Sequence, residues 1–383
     1  MQKTGRRGSK TSTDHGRMNF IMATLTEVSV VARKTIKWGT IGLVVMAMIP
    51  GTISLIRKIY VMMNPPPPPP PTVRYGKLPR LMFPVDPNVA TPEYKLETVS
   101  GSLPALPNVA KVYLVGINRS RLLVLDRMTE RANQVGLTNE PVQINDRTYR
   151  YSSPRAPIGM MFDVITGGLS YTYDWTTDKI LSQTFSVPIG DLAVGEARRF
   201  LGDLGALPED LANGEAKVIY LAASGSAMEQ VVSPYEANFV RIDLFRTKKD
   251  EKIPGVAQSI SMDTVTVGGD TSPVNVILSG SQGTERVVQA NYYYSQVLGE
   301  DFATYPLKPV QTAWQELVAG GGFVAKRTTE NKVTIRHVNL AYFESNEQQD
   351  FLQPVYVFDG DGGFLAYVQA VDESKIATSV TPK

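Results

Sequence analysis

The sequence has no cysteine among its 383 residues. That absence removes disulfide frameworks, thiolate zinc sites, iron–sulfur clusters and cysteine nucleophiles together. Histidine is nearly missing as well: only His15 and His337 occur, too few for a His-rich metal centre. A Ser-His-Asp triad would depend on His337, which stands in a strand-like run beside Arg336 with no signature of a positioned serine and acid. No phosphate loop, dinucleotide fingerprint, HExxH, EF-hand or GxSxG pattern is present. The expectation is therefore no catalytic residue, no metal ligand and no cofactor. A strong excess of one charge is lacking too, since 39 Lys/Arg face 37 Asp/Glu for a net +2.

That balance hides an asymmetry. Ten Lys/Arg against Asp14 and Glu27 give residues 1–64 a charge of +8, and the remainder carries −6. The larger part is mildly acidic, which argues against nucleic acid as a partner.

One long apolar run is present. Trp38 to Ile56 is nineteen residues without a charge, about 28 Å of helix against a hydrocarbon layer of about 30 Å. Arg57 and Lys58 interrupt the run before Ile59–Met63 resumes it, and long basic side chains at a helix end snorkel to the headgroups. The sequence thus predicts a transmembrane helix over 38–63, with Pro50-Gly51 inside it and Trp38 and Tyr60 placed as interfacial anchors. Eight Lys/Arg precede the run, so the positive-inside bias puts the N-terminus in the cytoplasm and the C-terminal domain outside. A cleaved signal peptide is the alternative; the 37-residue leader and the missing Ala-x-Ala site argue against it. Ile21, Leu25, Val28, Ala32 and Ile36 form one apolar stripe, which predicts an amphipathic juxtamembrane segment at the end of a basic tail, residues 1–37.

Seven prolines, Pro65–Pro71, follow the run. In polyproline II geometry they make a stiff spacer of about 22 Å, and the prolines up to Pro92 extend a proline-rich tether over 64–93.

Beyond the tether, three helical patterns each precede strand-like runs. The helices are predicted over 120–134, 191–204 and 310–317, with Gly136 and Gly320-Gly321-Gly322 as stops. Val109–Val115, Ala216–Ala222, Ala237–Phe245, Val274–Ser279 and 333–342 read as strands. The expected class is α+β, with an N-terminal transmembrane helix and an ectodomain of about three helix-plus-antiparallel-sheet units. Residues 94–300 would hold the first two units, 301–371 the third, and 372–383 a polar tail.

Two local motifs bear on ligands. Asp359-Gly360-Asp361-Gly362-Gly363 lacks the bidentate Glu of a calcium loop and reads as a hairpin turn between two strands. Tyr171, Tyr173 and Trp175, with Tyr292 and Tyr294, are aromatic-rich runs: a candidate peptide- or glycan-binding strip, or ordinary cross-strand packing.

The C-terminal third carries a recognisable pattern: Tyr305-Pro306-Leu307, Ala313-Trp314-x-x-Leu317 with a following Gly, Ile335-x-x-Val338-x-Leu340-x-Tyr342, Pro354-Val355-Tyr356-Val357-Phe358 and Tyr367-Val368. This resembles the C-terminal unit of YycH/YycI-type extracytoplasmic regulators, which is PepSY-like. Gly136-Leu137 and the Ala197–Leu201 helix resemble the earlier units of that family. The resemblance implies a cofactor-free α+β ectodomain on one N-terminal span, and a regulator that touches a sensor kinase. The leading expectation is a non-catalytic membrane-anchored protein whose partners are the lipid bilayer and a membrane or envelope protein, in a regulatory or scaffolding role. A carboxylate-dependent envelope hydrolase, a glycan- or peptide-binding protein and a purely structural tether stay open.

Overall fold

A computed structural model describes residues 25–63, 70–84, 92–116, 121–252 and 259–377. The basic leader as far as residue 24, most of the proline run (64–69) and the final residues 378–383 lie outside the described residues. Two compact units divide the chain, residues 1–67 and 68–383.

The first unit contributes one helix, α1 (Leu25–Met63), 39 residues long with Pro50 inside it. The amphipathic segment and the span expected separately are one continuous helix from Leu25 onward. Its segment Ala32–Tyr60 is long and apolar enough to cross a membrane. The apolar side chains stand exposed, Trp38 at 71% and Ile56 at 66%. Inside that segment, the Thr52 hydroxyl donates to the Met48 carbonyl at 3.2 Å, so a polar side chain is satisfied within the helix itself.

Among the described residues, the second unit holds two nine-stranded sheets, not three helix-and-sheet units. The middle sheet runs, in spatial order, Val142–Gln143, Thr148–Ser152, Ile158–Asp163, Leu169–Tyr173, Val287–Tyr292, Val274–Ser279, Phe239–Leu244, Ala216–Ser224 and Ala227–Val231. Every pairing is antiparallel. Helices α2 (Arg121–Gln134) and α3 (Asp191–Asp203) share its apolar face. Helix α3 buries Ala193, Ala197 and Leu201 at a four-residue spacing, the period that keeps side chains on one face. Leu192, at the start of the same helix, is exposed at 72%. The two expected units merge because Leu169–Tyr173 pairs directly with Val287–Tyr292. Their helices then cover one continuous core.

The terminal sheet is assembled from distant parts of the chain. Its main path is Lys249–Glu251, Ile260–Thr266, Lys332–Glu344, Phe351–Gly360, Phe364–Gln369 and Phe323–Lys326. Glu93–Leu96 adds in parallel to the Lys332–Glu344 strand. Val109–Val115, expected within 94–300, pairs with Val297–Pro306 and with residues 351–352. A short helix, α4 (Glu209–Ala212), precedes the last helix, α5 (Val310–Val318). Helix α5 buries Val310, Ala313 and Leu317 on the terminal sheet and leaves Val318 exposed. The Asp359–Gly363 motif is a tight turn in which Gly360 pairs with Phe364. Gly362 and Gly363 adopt φ of 69° and 73°, a region where a side chain is strained.

Candidate functional site

Two apolar cores meet at a polar seam. Arg246 follows the middle-sheet strand Phe239–Leu244 and is 7% exposed. Its Nε donates to Glu344 Oε2 at 2.9 Å, its Nη2 to Glu344 Oε1 at 2.5 Å, and its Nη1 to Asp210 Oδ2 at 2.9 Å. Glu344 ends the longest strand of the terminal sheet, and Asp210 lies on α4. The guanidinium carbon sits 3.7 Å from the centre of the Tyr294 ring, and the Tyr294 hydroxyl donates to Asp210 Oδ1 at 2.8 Å. Glu344 also accepts from the Ser295 amide at 2.8 Å. One buried cation thus ties both sheets to the Tyr292–Tyr294 segment, with its bidentate fork filled.

A second clasp is more open. Asp270 accepts from Lys217 of the middle sheet at 2.9 Å and from Lys326 of the terminal sheet at 2.8 Å. Burial alone would raise the Asp270 pKa, but the two ammoniums outweigh it and hold the carboxyl at about 2.

A cleft of about 840 Å³ opens beside the Arg246 cluster. One wall is α2, through Val124, Arg127, Met128 and Arg131. The 204–210 segment and Tyr292 and Tyr294 form another, and Lys249, Gln296 and Val297 close it from the terminal-sheet side. Gly205 lets the chain pass under Arg131: its φ is +63°, and an added Cβ would fall 2.2 Å from the guanidinium carbon. Arg131 Nη1 donates to the Leu204 carbonyl at 3.4 Å.

Charges in this cleft are unevenly satisfied. Asp210 is spent on Arg246 and Tyr294, which leaves Arg127, Arg131 and Lys249 against the exposed Glu209. Among the described residues Lys249 has no carboxylate partner; its ammonium stands 4.9 Å from the Tyr113 ring centre. Burial, and then the like charge of Arg246, lower the Lys249 pKa. No ion pair or hydrogen bond engages Arg127 among the described residues. Burial raises the Tyr292 and Tyr294 phenols well above their ordinary value, so both stay protonated donors.

The aromatic candidates divide. Tyr171 and Tyr173 are in the middle core at 2% and 4% exposure, Tyr171 edge-on to Phe200 at 5.1 Å. Trp175 packs on Phe239 with ring centres 5.0 Å apart. These three are core packing, not an exposed strip. Tyr292 and Tyr294 stack with ring centres 5.6 Å apart and line the cleft. The residues expected in a membrane span, Trp38, Pro50, Gly51, Ile56, Arg57 and Lys58, all belong to α1.

Sequence reasoning missed Arg246, Lys249, Asp210 and Glu344. Lys249 falls in the run Lys248-Lys249-Asp250-Glu251-Lys252, which reads as a solvated loop. The available signal is an Arg that follows the strand Phe239–Leu244 and Phe245. Glu251, in the same run, is buried and accepts from the Tyr342 hydroxyl at 3.0 Å, from Tyr113, and pairs with Lys111 at 2.8 Å. Among the described residues no group of three or more His, Asp or Glu side chains is arranged to hold a metal ion. Asp210, which lines the cleft, and Glu344 are engaged by one guanidinium, an arrangement for holding structure together.

No protein-family model matches this sequence, and no curated protein matches it. Among solved structures, the chain is similar to an uncharacterized protein from Eubacterium rectale, at 11% identity and a TM-score of 0.34, over 69% of this chain and 84% of that one.

Proposed function

We propose that this chain is a membrane-anchored binding protein: α1 spans the bilayer once, the basic leader stays in the cytoplasm, and the α+β part lies outside. In that position it binds a membrane or envelope protein in a regulatory or scaffolding role, without catalysis. The observation that carries the reading is α1 itself, whose apolar side chains from Ala32 to Tyr60 stand uncovered behind a leader rich in Lys and Arg. An exposed apolar surface of that length needs lipid around it. The run Pro65–Pro71 supports a tether that holds the ectodomain off the membrane. The YycH/YycI-type pattern of residues 305–368 supports a sensor kinase as the kind of partner.

The test is in-cell crosslinking of the full chain, followed by mass spectrometry of what is captured. The expected result is a discrete membrane or envelope protein that disappears when residues beyond 93 are removed and α1 is kept. Capture that persists on α1 alone would reject the ectodomain as the binding part. Capture of no protein would reject the scaffold role.

A further inference from the structure

The cleft at the seam has the size and lining of a ligand site. Its volume of about 840 Å³ falls in the range of about 300–1,000 Å³ typical of small-molecule pockets. The lining pairs apolar and aromatic side chains, Met128, Phe162 and Tyr292 among them, with cations from both sides of the seam. Arg127 and Arg131 are four residues apart on α2 and so share a face. Lys249 reaches in from the terminal sheet.

Lys249 is the group that calls for a partner. A half-buried ammonium is costly unless something compensates its charge. The Tyr113 ring, 4.9 Å away, offers only a weak cation–π attraction, and Arg246 nearby opposes the charge. The nearest acids are committed elsewhere: Asp210 to Arg246, and Glu251 to Lys111 and two tyrosines. An oxyanion in the cleft would complete the coordination of Lys249 and Arg131 together.

We propose that the cleft binds a small molecule carrying a carboxylate or phosphate on an apolar body. The oxyanion lies between Lys249 and Arg131, and the body lies against Met128, Phe162 and Tyr292. This site is independent of the anchor: it holds or fails whichever side of a membrane the ectodomain occupies.

The probe is phenyl phosphate, titrated calorimetrically against the full chain in nanodiscs of neutral phosphatidylcholine, with neutral benzyl alcohol and inorganic phosphate as comparisons. Phenyl phosphate should bind at a single saturable site, inorganic phosphate should compete with it more weakly, and benzyl alcohol should not compete. Lys249→Met, which keeps the aliphatic stem, should weaken binding about tenfold or more, the loss of one charge-assisted hydrogen bond. Arg131→Met should weaken it in the same direction, and Leu192→Ser, an exposed position on α3, should leave it unchanged. Thermal melting of each variant separates loss of the site from loss of the fold. Binding that survives when phosphatidylglycerol is added to the discs supports a soluble ligand, and binding displaced by that lipid supports a lipid headgroup as the source of the anion. No saturable binding at millimolar phenyl phosphate, equal binding of benzyl alcohol, or full affinity in both cation variants while they remain folded would overturn the proposal.

Discussion

The two sheets have the same number of strands and opposite construction. The strands of the middle sheet all lie between Val142 and Tyr292, a stretch that the terminal-sheet strands Lys249–Glu251 and Ile260–Thr266 interrupt, and each pairs antiparallel. The terminal sheet gathers strands from the beginning, middle and end of residues 93–369 and includes two parallel pairings, Glu93–Leu96 and Ile260–Thr266 on either end of Lys332–Glu344. Local pairing closes short loops, and distant pairing must overcome a larger loss of chain entropy before its contacts form. The seam therefore matters: it joins a sheet built mostly of hairpin-like antiparallel neighbours to one gathered from distant parts of the chain.

Matched core truncations test how far that joining goes. Phe358→Ala in the terminal core and Phe239→Ala in the middle core, both fully buried, should each cost about 3–5 kcal/mol. Because the seam couples the sheets, denaturant unfolding followed by two probes, one in each sheet, should shift as a single transition in both variants. Two separated transitions would show that the sheets unfold independently.

Arg246→Ala attacks the seam itself. It strands Glu344 and Asp210 without their shared cation, a loss of about 3–5 kcal/mol for a broken buried pair. The expected signature is different in kind: the single transition splits, with the two probes no longer coincident. A smaller effect comes from Trp314→Ala. Trp314 is only partly buried, between Tyr94 and Phe358, so the loss should fall below the ~3–5 kcal/mol of a fully buried large-to-Ala change. Equilibrium denaturation checks it.

The smallest effect belongs to the open clasp. Asp270→Asn should cost less than about 1 kcal/mol, since the ion pairs are exposed and screened. The sign with pH is fixed by the depressed carboxyl. Its folded pKa of about 2 lies below the ordinary 3.8, so the contribution is fully present above pH 3.8 and fades as pH falls toward about 2. The difference in stability between wild type and Asp270→Asn should therefore be flat near neutrality and vanish in strong acid. A difference that grew on acidification would contradict the clasp.

The same contrast explains what the sequence reveals. The strands of the middle sheet alternate or run apolar between turn residues, and the three helices announce themselves by spacing and by Gly stops; Arg121–Gln134, Asp191–Asp203 and Val310–Val318 all match their periodicity. What periodicity does not carry is the identity of a strand's partner. Val109–Val115 is plainly a strand, yet nothing in its residues points to Val297–Pro306, whose own pattern is broken at Gly299 and by a register shift. The candidate site was legible only through Tyr292 and Tyr294. Its charged half was hidden, because Arg246 and Lys249 look like surface residues until the second sheet is folded over them.

The functional reading rests on the placement of the chain across a membrane, and the lack of native cysteine makes that directly measurable. Single cysteines placed at Val232, which is 96% exposed in the α+β part, and at Ser9 in the leader would be challenged with a membrane-impermeant maleimide on intact protoplasts. The account predicts that Val232→Cys labels at once and Ser9→Cys only after lysis. Labelling of Ser9→Cys first, or of neither until lysis, would contradict it.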